Sequence, residues 1–378
     1  MPVVGLTRST TIEAIDTLVG RGLLRELPNA RQSGEYRKGR PARRFEFRAD
    51  AGVLVGVDAG HEHVSVAVTD LRGEVLATHR LTLEIDRDDA AARRVMIGGA
   101  VDAALAAASH GRECVVAVCV GVPAPVDADG RSPDHRNDFW ARMNPDLVGL
   151  FGEWAPLVRI ENDASLAAIA EGARGAALGC RNYVTLLAGA RLGAGVVVDG
   201  HVLRGAHGGV GEMVAFDHVD GVGTADGLGA RAAQWAREAV ALGEVSPEGS
   251  LSALAPEDVD GRVVLELAAD GDLDARRVIE RVALVLARVV GVLGSMFDPE
   301  RVIVSGAISA TVEPVVTAAR GALASDLDLP APELLASPLG ADIVMTGGIL
   351  AAVEDARARL LDLGPPHGTT DRLATEPS

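Results

Sequence analysis

The sequence predicts an α/β fold, and two features carry that expectation. Apolar, β-rich runs alternate with alanine-rich helical stretches, and glycine-rich turns separate them. A third observation sets the first residues apart. Residues 1–48 hold ten Arg or Lys and five Asp or Glu, while the rest of the chain holds 26 basic and 48 acidic residues, within a net charge of −17. A basic head on an acidic body suits a DNA reader joined to a sensor. It argues against a nucleic-acid coat over the whole surface.

The head is read first. Thr7 to Thr11 is a hydroxyl-rich helix start, and Ile12, Ile15, Leu18 and Val19 then give one apolar helical face. Gly20 and Gly22 stop the helix, "LLREL" reads as a strand, Arg37-Lys-Gly-Arg-Pro41 as a basic loop, and "RRFEFR" as the returning strand. The pattern is that of the recognition helix and wing of a winged helix-turn-helix over residues 1–49, with operator DNA as the partner. Thr7, Arg8, Ser9 and Thr10 at the helix start, and Arg37, Lys38 and Arg40 in the wing, are the candidate DNA contacts. A full unit has two more helices ahead of the recognition helix, and only Met1 to Val4 precede Gly5. The unit therefore reads as N-terminally incomplete, or as starting upstream, with Ile12, Ile15 and Leu18 left uncovered.

Asp50 to Gly52 is a plausible hinge into the body. Three β-rich runs follow, at 53–58, 64–70 and 75–83, as a meander opening a mixed sheet. An alanine-rich helix is expected from about Asp88 to Ser109, then a buried strand at Val115–Val120, a loop "GVPAPVDADG", a strand "LVRIEND" and a helix from Ala164 to Ala177. Residues 183–205 look like two strands around a glycine-rich turn. Helices are expected near Gly227–Leu242, Val263–Ala268 and Arg276–Met296, then a strand "RVIVSGAI" and a last helix from about Gly348 to Leu361. Cys114, Cys119 and Cys180 have neither paired spacing nor secreted context and read as reduced thiols of a cytosolic protein. No leader opens the chain, and Val282 to Phe297, with Arg288 and two glycines, is too short to span a bilayer, so no membrane partner is expected. Residues 363–378 read as a disordered tail.

Five motifs, in order, resemble one family. "VGVDAG" at 55–60 resembles a first phosphate loop and "GVPAPVD" at 121–127 the loop after the fourth strand. "IENDASLAAIAEG" at 160–172 is similar to a catalytic-Asp segment. "GARLGAGVVVDGHVLRGAHGGVGEM" at 189–213 resembles a second phosphate loop with a sugar-contacting Glu, and "FDPERVIVSGAI" at 297–308 an adenosine-side strand and turn. Together they resemble the ROK proteins (repressors, open reading frames and sugar kinases), whose fold is the actin-like, two-lobed ATPase fold. The resemblance runs up to about residue 362. It implies a small lobe of residues 50–121 with 344–362, and a large lobe of 122–343.

The resemblance also implies roles. Asp163 matches the family's base, which takes a proton from a sugar hydroxyl; repressors of the family keep it as a sugar contact, and it also reads as a helix N-cap. Asn162 is a ligand contact or a turn former. Glu212 matches the sugar-binding Glu. Asn137 and Trp140 in "HRNDFW" lie near, but offset from, a sugar-contacting Asn before a Trp, and equally read as a loop anchored by a buried Trp. Asp58, Gly60, Gly193, Gly195 and Gly306 match nucleotide-binding positions.

The departures are specific. His61 and Glu62 replace a small glycine and a hydroxyl residue, and a carboxylate ~4 Å from a phosphate charge is repelled by about 4 kcal/mol at an effective dielectric near 20. Arg191 stands where the kinases use glycine; it could neutralise a phosphate or plug the cleft, and the plug is the favoured reading. Ser305-Gly306-Ala307 lacks the usual glycine pair. Ala215 replaces the family's His, and the Cys-rich zinc loop is missing from "DHVDGVGTADGLGAR"; His207 and His218 alone do not complete a tetrahedral site. The expectation is a non-kinase regulator, a repressor in the family's terms, with no metal and no cofactor. It would sense a small sugar-like effector as a homodimer or higher homo-oligomer. The rival reading is an ATP-dependent sugar kinase, and a third is an effector-binding protein without DNA activity.

Overall fold

A computed structural model describes residues 7–28, 43–83, 89–134, 137–323 and 330–363. Helix α1 (Arg8–Gly20) and an antiparallel pair, β1 (Leu24–Leu27) with β2 (Arg44–Phe47), form the head. Thr7 caps α1, its hydroxyl accepting from the Thr10 amide at 3.3 Å, and Gly22 takes a left-handed turn (φ 73°) just past the helix. The wing residues Arg37, Lys38 and Arg40 lie outside the described residues, as does 364–378 of the expected tail. The face expected to be uncovered is only partly so. Ile12 is exposed, Ile15 is half-buried, and Leu18 packs against the core of the lobe that follows.

Two five-stranded sheets make up the body. The first holds β3 (Val53–Ala59), β4 (His63–Asp70), β5 (Val75–Thr82), β6 (Val115–Val122) and β7 (Leu157–Asn162), in the order β5-β4-β3-β6-β7. Around it lie α2 (Ala90–Ala107), α3 (Phe139–Met143), α4 (Leu147–Gly152) and α5 (Asp163–Arg174). The second holds β8 (Tyr183–Ala188), β9 (Leu192–Val198), β10 (His201–Val202), β11 (Arg301–Ser305) and β12 (Glu333–Ala336), in the order β10-β9-β8-β11-β12. With it go α6 (Leu228–Leu242), α7 (Gly261–Asp270), α8 (Leu273–Phe297) and α9 (Glu313–Ala322); α10 (Ile343–Arg359) closes the described chain. The two sheets repeat one plan. The first strand pairs antiparallel with the second and parallel with the fourth, the second pairs antiparallel with the third, and the fourth pairs parallel with the fifth.

Position in the sheet explains each strand's composition. Central β3 and β6 are buried at every residue and read as continuous apolar runs, whereas edge strand β5 exposes Val75 and Leu76. One core lies between the first sheet and α2, α3 and α4; a second lies on its other face, under α5 and α10. Helix α10 approaches β3 closely because Gly56 has no side chain: a Cβ there would sit 2.7 Å from the Ile349 amide nitrogen. Gly347 serves α5 in the same way, 2.0 Å from the Leu166 carbonyl oxygen by the same construction.

Four expectations are corrected. Strand β7 pairs with β6, so residues 122–162 belong with the first sheet, not with the second lobe. The division expected at residue 121 ignored that the loop after β6 returns to the same sheet. Residues 49–51 are not a loose hinge: they form a 3-10 turn, Ala51 is buried, and a Cβ on Gly52 would lie 2.7 Å from Val116. The stretch read as two strands contains three, since Asp199 and Gly200 turn the chain from β9 into β10. Short elements α3, α4, α9 and β12 were not foreseen.

Candidate functional site

The cleft forms where α5 leaves the first sheet and meets β9 of the second. Asn162 ends β7 and caps α5: its amide oxygen accepts from the Ser165 amide at 3.1 Å, and its amide nitrogen donates to the Ala124 carbonyl at 3.2 Å. Asn162, not Asp163, is therefore the N-cap, and it ties the helix start to the 122–127 loop. Asp163 is the first helical residue, and its carboxylate accepts from the Ala164 amide at 2.7 Å. Burial, then the Asp58 carboxylate and the Glu212 carboxylate, push the Asp163 carboxyl up to about 7. The three acids expected from the sequence thus converge electrostatically. At neutral pH Asp163 is poised between a hydrogen-bond donor and an acceptor.

The second lobe supplies the opposite wall. A Cβ on Gly195 would fall 2.1 Å from the Ala164 carbonyl oxygen, so this glycine lets α5 seat against β9. Gly193 has room, with the Ala164 Cβ at 3.6 Å, and its backbone bridges to Glu212. Gly211 (φ 90°) and Gly208 (φ 72°) bring the 205–212 loop hard against the backbones of Ala194 and Val126. Glu212 is thereby held at the mouth of the cleft with its side chain exposed.

An ion cluster fastens the two lobes. Glu161, buried on β7, accepts from Arg204 at 2.7 Å and from Arg159 at 3.0 Å. Arg204 follows β10 in the second lobe, and Arg159 also faces Glu354 at 3.5 Å and Asp355 at 3.7 Å on α10. Burial raises the Asp355 carboxyl, with Glu354 adding to it and Arg159 opposing it. Charge alternates through the cluster, so each ion has an opposite neighbour.

The turn after β3, where the sequence resembles a phosphate loop, is covered by a side chain that the sequence did not reveal. His63 Nε2 lies 3.0 Å from Asp58 Oδ2, and its ring lies over Gly60, where a Cβ would meet it at 2.6 Å. The hydrogen bond that the ring donates to Asp58 raises the His63 imidazole, while burial lowers it. Behind the loop, buried Arg93 on α2 donates to the carbonyls of Ala59 at 2.6 Å, Gly60 at 2.9 Å and Met143 at 3.4 Å. Burial lowers the Arg93 guanidinium to about 10, against the pull of Asp58. Glu62, expected to confront phosphates, is exposed 4.0 Å from His61, and His61 packs against Phe139.

Other expected residues fall as follows. Arg191 is exposed, beside its backbone bridge to Asp226. Asn137 shapes the entry to α3, accepting from the Phe139 amide at 3.3 Å, and Trp140 packs on the core behind α3. Gly306 (φ 100°) turns β11 into a 3-10 segment, and Ser305 beside it donates to buried Glu171 at 2.9 Å. His207 and His218 are exposed, and among the described residues no group of three His, Cys, Asp or Glu comes together to hold a metal ion. In the head, the hydroxyls of Ser9 and Thr10 sit 3.0 and 2.8 Å from that of Thr7, and Arg8 is exposed.

The family profile described as ROK family matches residues 54–348. The chain belongs to the ROK family. Within it, the chain is 24% identical over 265 residues to a glucokinase of Halalkalibacterium halodurans, covering 68% of this chain and 80% of the kinase. It is 26% identical over 210 residues to the xylose repressor of Bacillus subtilis, covering 55% of this chain and about half (53%) of the repressor. Among solved structures, a ROK family transcriptional regulator, a homolog of the E. coli MLC protein, superposes with a TM-score of 0.72 at 22% identity, covering 95% of this chain and 92% of that one. A ROK family glucokinase from Streptomyces griseus, in complex with glucose and AMPPNP, gives a TM-score of 0.57 at 26% identity, covering 81% of this chain and all of that one. The ROK family fold is thereby shown, and the relatives include both regulators and kinases. No helix among the described residues is long and apolar enough to cross a membrane.

Proposed function

We propose that the chain is a DNA-binding transcriptional regulator of the ROK family that senses a small polyhydroxylated effector and transfers no phosphate. The carrying observation is the head. A capped helix and an antiparallel strand pair precede the family's own span, which begins at residue 54, and they dock on the first lobe through Leu23, Leu18 and Phe47. A helix followed by a two-stranded wing is the arrangement a winged reader uses to present its helix start to the major groove. Thr7, Arg8, Ser9 and Thr10 are then base and phosphate contacts, and Arg37, Lys38 and Arg40 neutralise phosphates.

The absence of phosphotransfer is supported by His63 lying on Gly60 and by Ser305 spent on Glu171. The effector site is the cleft at Asn162, Asp163 and Glu212, with Asn137 at its approach. Two carboxylates and an amide there suit a ligand with several hydroxyls, since an apolar ligand would leave them unpaired. Effector binding acts on DNA affinity through unequal affinity for open and closed lobes, in a homodimer or higher oligomer.

A second reading, an ATP-dependent sugar kinase, has one observation in its favour. A base near pH 7 is matched to proton abstraction, and Asp163 sits there. A coupled assay with ATP and a panel of hexoses and amino sugars, run beside gel shifts on the DNA upstream of the chain's own reading frame, separates the two. The regulator shows no turnover, and retards DNA less tightly after Arg8→Ala. A sugar that shifts its melting point relieves DNA binding in the wild type and not in Glu212→Ala. Turnover of about one per second, abolished by Asp163→Asn, establishes the kinase instead.

A further inference from the structure

A groove of about 480 Å³ lies on the outer side of α10, away from the cleft. Three arginines line it from three separate elements: Arg357 in the last turn of α10, Arg174 in the last turn of α5, and Arg72 in the β4–β5 turn. All three are exposed. No described residue gives any of their side chains a hydrogen bond or ion pair; Arg72 has only the Phe47 ring, 5.7 Å away. In a chain of net charge −17, three such cations around one hollow call for an explanation. Helix-dipole compensation accounts for Arg174 and Arg357 at their helix ends, but not for Arg72, which is on no helix, nor for their meeting in one groove. Leu350 and Val353 form an apolar floor, and the one acid in the lining, Glu354, already faces Arg159 at 3.5 Å.

We propose that this groove is a binding site for a small organic phosphate. A guanidinium presents a planar fork of donors that matches phosphate oxygens. Three forks exceed what a single carboxylate, with two oxygens and one charge, can satisfy. A phosphate monoester has three terminal oxygens and roughly −1.5 to −2 charge at pH 7. The floor of Leu350 and Val353 takes the organic part, and the volume is that of a small-molecule site, about 300–1,000 Å³. The groove shares α10 with the reader's docking surface: Leu23 packs in the same core as Val353, and Arg21 donates to the Leu363 carbonyl at 2.9 Å beyond the helix end. Occupancy of the groove therefore bears on the element that carries the head. The site is independent of whether the cleft binds an effector or transfers phosphate.

The test is calorimetric titration of the full chain with phenyl phosphate, inorganic phosphate and phenylacetate at fixed ionic strength. Phenyl phosphate is expected to bind saturably, about tenfold or more tighter than either, because it alone has both the dianion and the apolar body. Arg174→Ser with Arg357→Ser is expected to weaken it about tenfold or more with an unchanged melting curve. Arg72→Ser, on a surface turn, provides a second variant should the double change disturb α10, and it too weakens binding. Unchanged phenyl phosphate affinity in these variants, or no preference over phenylacetate, overturns the proposal. So does a loss of affinity for a non-operator DNA duplex without any effect on phenyl phosphate, which would make the groove a nucleic-acid surface.

Discussion

The two sheets share one plan, and at the same point in each, the turn after the first strand, they have come to differ. After β3 the turn is filled. His63 lies over Gly60, held by Asp58, and Arg93 grips the carbonyls behind. After β8 the turn packs against the start of α6 on one side, but the face of its glycine is uncovered. A Cβ on Gly189 would meet nothing nearer than the Arg191 carbonyl at 3.9 Å, and Arg191 points to solvent. In the family these turns are the two phosphate loops. On the regulator reading proposed above, the difference means that a nucleotide cleft is closed from one side by a residue that itself belongs to neither glycine motif. It also separates glycines kept for a ligand from glycines kept for packing.

That separation gives the largest expected effect. Gly195 is packed against α5 with no room for a Cβ, whereas Gly193, two residues away on the same face of β9, has ordinary contact distance. Gly195→Ala should cost about 3 kcal/mol, as an overpacked site that meets backbone does. Gly193→Ala should stay within about 1 kcal/mol, because alanine is the better strand residue where space permits. Denaturant melts of both variants measure this. Equal costs would mean that the two glycines are kept for the same reason, and the comparison fails.

The next effect is a pH dependence at Asp163. Its folded carboxyl is raised to about 7, and an unfolded Asp titrates near about 3.9. The folded state thus holds a proton that the unfolded state has released. The charge penalty is absent below the unfolded value, grows as pH rises, and is complete above the folded one. Asp163→Asn keeps the acceptor for the Ala164 amide and removes the penalty. The variant should melt higher than the wild type by about 2 °C or more at pH 8, with the gain shrinking toward pH 4.5. A gain that does not depend on pH would show that burial and Asp58 do not act on this carboxyl as described.

How much of this was legible follows from what each feature needs. Strands β3, β6 and β7 and helix α5 were readable because apolar runs and alternation are local signals, and their order carried the fold. Residues 139–152 and 313–322 escaped because α3 and α4 are each about one turn long and α9 begins at Glu313-Pro314, too little for periodicity to register. β12 is four residues behind prolines and is a strand only because β11 pairs with it. In the cleft, Asp58, Asn162, Asp163 and Glu212 were readable as motif members. His63, Arg93 and Glu161 were not, since each acts through at least one partner from elsewhere in the chain: His63 through Asp58, Arg93 through backbone carbonyls across the fold, and Glu161 through Arg204. One clue was present: an Arg in register with the apolar face of an alanine-rich helix (Arg93, with Ile97, Ala100 and Ala104) and a Glu inside an apolar strand both need buried partners.

The smallest effect tests the filled turn itself. Asp58 raises the His63 imidazole above its ordinary value, and burial, Arg80 and Arg93 oppose the rise. A base with a raised folded value stabilises fully below the unfolded value, near about 6.5, and loses that contribution as pH climbs through the folded one. His63→Ala should therefore destabilise more at pH 5.5 than at pH 8.5. His63 is 45% exposed, so the difference should not exceed about 1 kcal/mol. In the wild type, NMR titration of the His63 ring protons should give a midpoint above 6.5. Asp58→Asn should bring it down to that value or below, because the opposing cations and burial then act alone. If the midpoint does not move, His63 is not held by Asp58 in solution. The first turn would then be as open as the second, and the distinction between the two halves of the cleft would have no physical basis.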